Sequence, residues 1–373
     1  MTAGAALLAQ PFVAFDALAQ SGAVVLPFRQ DDNDHVIVDA SVNGEPVRAV
    51  IDNGASVTLL DAAFARSRNL LSGRTMRVNG GEVERSIRID AQLGPKRVRL
   101  APPLIDFAGF VRAGGEPYDM LVGLDVLREL VVQLDYDAAR MTCWPAQRGF
   151  EAAGSTQLAL RAGRSGLQTL EVEIEGVRRT AFFDLGASSA LAVREGVMSN
   201  RWFDEGRRWT TVASGGIQSG AMALGVWRLT RTTSLKLGPF ELADVPVQVI
   251  PQQSPTFTGF DTVVGGPAIA RFLTTLDARR SRLWLKPNAR FGERFRFGTV
   301  GAGAVAEGDA LRVVHVSANS PAEAAGVREG DVILEIDGAR ATRDRITGAR
   351  PGTRLSLKLA GGRTVAVTAA EFY

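Results

Sequence analysis

Asp52-Asn53-Gly54-Ala55-Ser56 and Asp184-Leu185-Gly186-Ala187-Ser188 lie near the ends of two stretches, residues 26–59 and 158–191, that align without a gap. The constant offset of 132 also lays Arg29 on Arg161 and Gly44 on Gly176. Each copy reads as an alternating strand, a glycine turn (Asn43-Gly44 or Glu175-Gly176) and a second apolar strand that stops at the aspartate. Two strands joined by so tight a turn form a hairpin. The repetition continues outward. Leu93-Gly94-Pro95 matches Leu237-Gly238-Pro239, and Leu121-Val122-Gly123 matches Val263-Val264-Gly265, each of the latter ahead of a short helical run. Leu134-Asp135 matches Leu276-Asp277 at an offset of 142. Residues 21–150 and 151–290 therefore read as two copies of one β-rich lobe.

Composition narrows the chemistry. The 373 residues are 46% hydrophobic and 22% charged, enough to give two or three domains their own cores. A net charge of +3 with scattered arginines leaves no basic stripe, which argues against a nucleic-acid partner. The single cysteine, Cys143, permits no internal disulfide and no thiolate zinc cluster, and its apolar neighbours suggest a buried structural thiol. The two histidines, His35 and His315, read as ordinary strand residues, and neither belongs to a nucleophile motif. Gly301-Ala302-Gly303 lacks the Lys-Ser/Thr of a phosphate loop. No metal or other cofactor is expected. Carboxylates remain as the candidate catalytic groups.

Residues 3–15 are apolar and rich in small side chains, and Ala17-Leu18-Ala19-Gln20 has the form of a signal-peptidase site. Residues 1–20 read as a signal-peptide-like segment or a disordered apolar tail, the former implying a periplasmic or secreted protein. No other run approaches the ~18 apolar residues of a membrane span.

The doubled Asp-x-Gly-Ala, each followed by two apolar residues, a glycine and a short helix, resembles the pepsin/retropepsin aspartic peptidases over nearly all of residues 21–290. The resemblance implies a mainly β protein of two retropepsin-like β-barrel lobes related by pseudo-twofold symmetry. It also implies a catalytic pair, Asp52 and Asp184, one from each lobe. Two carboxyls held close cannot both ionise cheaply, so they share a proton, one acting as base and the other as acid. Gly54 and Gly186 would let their loops turn tightly. The family usually carries Thr or Ser after each aspartate, bonding across to the opposite loop; here Asn53 can bond and Leu185 cannot. Ala55 and Ala187 likewise lack the hydroxyl that stabilises carboxylate charge, which moves the expected activity optimum from strongly acidic to mildly acidic or neutral. The family's glycine-rich flap is sought in Asn79-Gly80-Gly81 and Ser214-Gly215-Gly216.

After Pro287 the composition shifts through a linker. Residues 293–373 resemble a bacterial PDZ domain through Ser320-Pro321-Ala322, Ala325-Gly326-Val327, Gly330-Asp331-Val332-Ile333 and Ile336-Asp337-Gly338. That resemblance makes Phe297-Gly298-Thr299-Val300 the loop for a peptide's terminal carboxylate. The expected function is aspartic endopeptidase on polypeptide substrates, with the PDZ domain binding substrate or partner C-termini. Asn53 and Leu185 also raise a second reading: a catalytically impaired peptide-binding scaffold of the same fold.

Overall fold

The computed structural model describes residues 22–31, 33–78, 81–112, 116–146, 150, 152–163, 166–197, 206–218, 221–254, 257, 259–295 and 298–373. The expected leader, residues 1–20, lies outside them. The fold is mainly β, in two lobes followed by a third, separate sheet.

Alternation builds the strands. In Gln168–Ile174 the side chains of Gln168, Leu170, Val172 and Ile174 are buried, while Thr169, Glu171 and Glu173 face outward or half outward. It pairs in antiparallel fashion with Val177–Asp184 across Glu175-Gly176. Both turn residues have positive φ, 48° and 82°, and their counterparts Asn43 and Gly44 have 52° and 87°. That is the type I′ geometry whose twist suits a two-residue hairpin.

The lobes join through one antiparallel sheet, in the order Thr156–Ala159, Arg282–Pro287, Phe272–Asp277, Leu130–Asp135, Arg140–Pro145, Val24–Gln30. At its centre Val132 pairs with Leu276, Gln133 with Thr275, and Leu134 with Thr274. The offset of 142 maps Gln133 onto Thr275 and exchanges the two flanking pairs. The pseudo-twofold axis therefore passes between Gln133 and Thr275, where Gln133 Nε2 donates to Thr275 Oγ1 at 3.0 Å. One apolar core runs through both lobes, from Ile51 and Val122 to Phe183 and Phe272.

Each lobe repeats a crossed loop. Met120–Val122 runs parallel to the strand Glu45–Ile51, with Leu121 on Val50, and antiparallel to Leu59–Asp61. Thr262–Gly265 does the same between Val177–Asp184 and Leu191–Arg194, with Val263 on Phe182. Each parallel pair ends beside an aspartate.

The third sheet, with strands from Ala302–Glu307 to Thr364–Thr368, encloses its own core of Val300, Leu311, Ile333, Ile346 and Leu357. It is fastened to the second lobe. Thr211 Oγ1 bonds His315 Nε2 at 2.8 Å, Ser317 Oγ donates to the Thr211 carbonyl at 2.7 Å, and Arg294 Nε donates to Asp244 at 3.0 Å. His315 is thus more than a strand residue: its other nitrogen meets Glu329 at 3.0 Å. The expected linker is also held. Arg271 Nη1 donates to the carbonyls of Arg290 and Glu293, and Arg290 reaches Gln30 and the Tyr136 carbonyl of the first lobe. Charged side chains near a chain crossing satisfy its otherwise orphaned carbonyls, and a tether becomes a fixed strut.

Candidate active site

Asp52 follows the strand Glu45–Ile51, and its amide donates to the Val122 carbonyl at 3.0 Å. Asp184 closes the strand Val177–Asp184 opposite Gly265. The two carboxyls face one another across the axis, each lying against the glycine of the opposite loop. Each also accepts an amide from its own loop, Gly54 N to Asp52 Oδ1 at 2.7 Å and Gly186 N to Asp184 Oδ1 at 2.8 Å.

The glycines are there for clearance. A Cβ on Gly54 would stand 2.6 Å from Asp184 Oδ2, and one on Gly186 would stand 2.7 Å from Asp52 Oδ2. Each loop is thus bare where the other lobe's carboxylate must pass. Turn geometry is not the reason, since neither glycine has a positive φ.

Asn53 is fully buried and crosses the axis. Its Nδ2 donates to the Phe183 carbonyl and its Oδ1 accepts the Leu185 amide, both at 2.7 Å. These two peptide groups bracket Asp184. The Thr or Ser expected in each lobe is replaced by one side chain that both donates and accepts, while Leu185 joins the apolar core. The lock is one-sided, and it is complete on that side. Ala55 and Ala187 offer no hydroxyl, but their amides turn back toward the carbonyls of Asp52 and Asp184.

The first lobe adds a polar brace. Thr58 Oγ1 donates to Asp125 Oδ1 at 2.6 Å and accepts the Gly123 amide at 3.1 Å. The residue equivalent to Thr58 in the second lobe is Ala190, also buried, so that crossing is held by packing.

Burial raises both aspartates above the ordinary carboxylate range, and Asp184 is raised further by the negative charge of Asp52 beside it. The pair titrates as a unit in which Asp184 keeps the proton longer. A carboxylate and a carboxyl in contact can take a proton from water and give one to a carbonyl oxygen. Among the described residues no three His, Cys, Asp or Glu side chains come together as metal ligands would.

The pair sits in a cavity of about 910 Å³. Val57, Phe110, Tyr118 and Leu121 line it from the first lobe, and Phe182, Trp227, Phe257 and Phe260 from the second. Of the expected flap residues, Gly81 opens the strand Gly81–Ser86 and pairs with Val78 of Leu71–Val78; Gly80 lies outside the described residues. Gly215 and Gly216 line the cavity from inside a longer hairpin, paired with Leu224 and Ala223 rather than at its turn. From the third sheet Gly298 and Val300 line the same cavity, together with Ala302 to Val305 and Ile346. Thr299 is tied down, its hydroxyl donating to the Ala349 carbonyl at 2.6 Å. Phe297 lies outside the described residues.

His35 is the residue that sequence reasoning passed over. It precedes the strand Val36–Val42; its Nδ1 meets Asp31 Oδ2 at 3.0 Å and its Nε2 meets the Gly186 carbonyl at 3.1 Å. The acidic turn ahead of it was the visible signal. The partner across the cleft is 151 residues away and was not.

Replacing Asn53 by Ala leaves a carbonyl and an amide buried without partners. Each such group costs about 1–3 kcal/mol, so Asn53→Ala is expected to lose at least about 2 kcal/mol in equilibrium denaturation. A stability equal to that of the parent would show that the crossing bonds carry no net energy.

Residues 38–126 match the family model described as Aspartyl protease, and residues 312–347 match the one described as PDZ domain. The first span contains Asp52, Asn53 and the Thr58–Asp125 brace; the second runs from the strand Ala310–Val316 through the helix Arg343–Thr347. No curated protein matches the chain. Two β lobes about a pseudo-twofold axis and a separate third sheet thus carry an aspartyl-protease domain in the first lobe and a PDZ domain toward the C-terminal end, the arrangement of a retropepsin-like protease with a C-terminal PDZ domain.

Proposed function

We propose that the protein is an endopeptidase that cuts extended polypeptides with a water molecule activated by Asp52 and Asp184. The observation that carries this reading is the pair of carboxyls, one from each lobe, that face each other across the opposing loop glycines and open on a largely apolar cavity of about 910 Å³. Asp52, the more readily ionised, takes a proton from the water as its oxygen bonds the peptide carbon. Asp184 gives its proton to the carbonyl oxygen. Collapse of the tetrahedral intermediate then breaks the C–N bond, with a proton returned to the leaving amine. The scaffold alternative drew on the missing Thr or Ser; that Asn53 makes both crossing bonds itself supports the endopeptidase reading over it.

The PDZ domain, in this reading, binds the C-terminal end of the substrate. Ala302–Glu307 is the edge strand of its sheet, where an extended peptide would add. Gly298, Thr299 and Val300 would hold the terminal carboxylate, the carbonyls of Thr299 and Val300 being taken by the amides of Ala370 and Ala322. Peptide groove and carboxyl pair share one cavity, so a bound chain would pass from one to the other without leaving the protein. We further propose that the protein works in the bacterial envelope, periplasmic or secreted, as Ala17-Leu18-Ala19-Gln20 suggests. Among the described residues no helix is long and apolar enough to cross a membrane.

Two measurements test this. Purified protein incubated with an unfolded polypeptide should cleave it, and Asp52→Asn should lower kcat by roughly 10³-fold or more. Because burial raises both carboxyls, the profile should peak at mildly acidic to neutral pH. Activity surviving Asp52→Asn, or a maximum at pH 2–3, overturns the assignment. For the PDZ domain, the intact enzyme is given one peptide substrate with a free C-terminal carboxylate and the same peptide amidated. Amidation should lower kcat/KM by roughly tenfold, chiefly through KM, since a hydrogen bond to a charged group is worth about 1.5–3 kcal/mol. Equal kcat/KM for the two would remove carboxylate recognition from the proposal.

A further inference from the structure

The two halves of the site are unlike in one respect that the repeat makes plain. His35 lines the cavity in the first lobe, and the offset of 132 puts Leu167, which also lines the cavity, at the equivalent place in the second. The position of Asp31 corresponds to Gly163. The first lobe therefore carries a charge-capable pair where the second carries a hydrocarbon and a glycine.

That pair is built into the structure. Asp31 has no exposed side-chain surface, and the His35 ring is 12% exposed. Asp31 Oδ1 accepts the amides of Asn33 and His35 at 2.9 and 3.0 Å, leaving Oδ2 for the ring. The far ring nitrogen faces a carbonyl, which can only accept. With acceptors on both sides, the ring satisfies both only by donating from both nitrogens, which is the charged form. The carbonyl it grips belongs to Gly186, whose amide holds Asp184 and whose Cα packs against the Asp52 carboxylate.

We propose that His35, oriented by Asp31, is a positioning residue that breaks the symmetry of the aspartate pair. It anchors the Gly186 loop and sets a positive charge on the Asp52 side, so that Asp52 is the ionised member and Asp184 keeps the shared proton. The inference rests on the reading of Asp52 and Asp184 as the catalytic pair. Electrostatics agrees with the geometry. Burial alone would lower the basicity of His35, but Asp31, Asp52 and the Gly186 carbonyl together outweigh it and raise its pKa above the ordinary histidine value. The other groups facing this region are Tyr118, kept protonated by burial and by the charges of Asp31 and Asp52, and Asp34, whose carboxyl is raised by burial and by the charge of Asp31 against the opposing pull of His35, Arg290 and Arg271. None of these sits at an equivalent point around Asp184.

The sign follows directly. A cation near the pair favours the singly ionised form, so its loss must move the first ionisation to higher pH. His35→Gln retains an N–H for the Gly186 carbonyl but carries no charge. Its expected result is an acid limb of kcat/KM shifted upward by about one pH unit, with kcat at the new optimum within about threefold of the parent. Asp31→Asn, which keeps an acceptor for the loop amides and removes the anion that holds the ring charged, should shift the limb in the same direction. It provides the reading if His35→Gln does not fold.

The unmutated protein gives a third measurement. With only two histidines in the sequence, His35 can be assigned in an NMR titration, and it should stay protonated across the acid limb. A His35→Gln profile that overlays the parent, or a His35 ring that is neutral throughout the acid limb, overturns the proposal. If Asp52→Asn abolishes cleavage in the same assay, that failure belongs to His35 alone; if Asp52→Asn retains cleavage, the reading of the pair itself has failed.

Discussion

Two buried carboxyls in contact repel unless they share a proton, and nothing in one lobe can hold them together because each comes from a different half of the chain. The whole architecture answers that constraint. Moving a carboxylate out of water costs several kcal/mol, and a second one beside it costs more. The site therefore has to supply donors at once. Gly54 and Gly186 give their amides, and each lacks the side chain that would collide with the opposite carboxylate. One residue type meets both demands. A methyl group at either place would push the carboxyls apart while leaving the loop amide in position.

Contact across the axis also needs a rigid relation between lobes. The central sheet supplies it over a distance, through the Gln133–Thr275 register, and Asn53 supplies it at the site. Strand pairing alone fixes a lobe to within a pleat, since a slip of one residue would turn every side chain to the wrong face. Asn53 fixes the last ångström by gripping the peptide groups on either side of Asp184. Its two bonds reach from the first lobe to the second, as does the bond from His35 to the Gly186 carbonyl, while the Thr58–Asp125 brace and the Asp31–His35 pair stiffen the first lobe from within. The first lobe is the polar one, and the second meets it with Leu185, Ala190 and Leu167. At the crossing itself the first lobe supplies the side-chain hydrogen bonds, and the second meets them with the backbone groups of Phe183, Leu185 and Gly186.

Much of this was legible in the sequence because a repeat converts one-dimensional spacing into symmetry. Offsets of 132 and 142 anticipate which strands correspond, the glycine hairpins, and the pairing of Asp52 with Asp184. Side chains that act across the axis were harder to read. Asn53 was seen as half a lock, since sequence gives its bonding capacity but not that Phe183 and Leu185 would both present backbone groups to it. His35 looked like the first residue of a strand, and only the folded chain brings the Gly186 carbonyl to it. The glycines at 215 and 216 suggested a hairpin tip, yet the ladder continues past them to Gln218 and Ala221. Glycine in a strand marks close approach as readily as a turn.

In the proposed function the PDZ domain extends the same logic from proton to substrate. A flexible tether would make substrate delivery a matter of local concentration, with the groove sampling many positions relative to the carboxyls. Here the connecting segment is bound by Arg271 and Arg290, and Thr211 and Ser317 bind the domain to the base of the second-lobe hairpin. The groove keeps a fixed bearing on the site. The hairpin strand that docks the PDZ domain through Thr211 is the one whose Gly215 and Gly216 line the cavity. A peptide added to the edge strand Ala302–Glu307 would therefore press on a wall it shares with the cleft: Gly303 already lies close to Ala213 of that strand. In that proposal rigid docking turns two adjacent surfaces of one cavity into a continuous track, and the strand between them belongs to both.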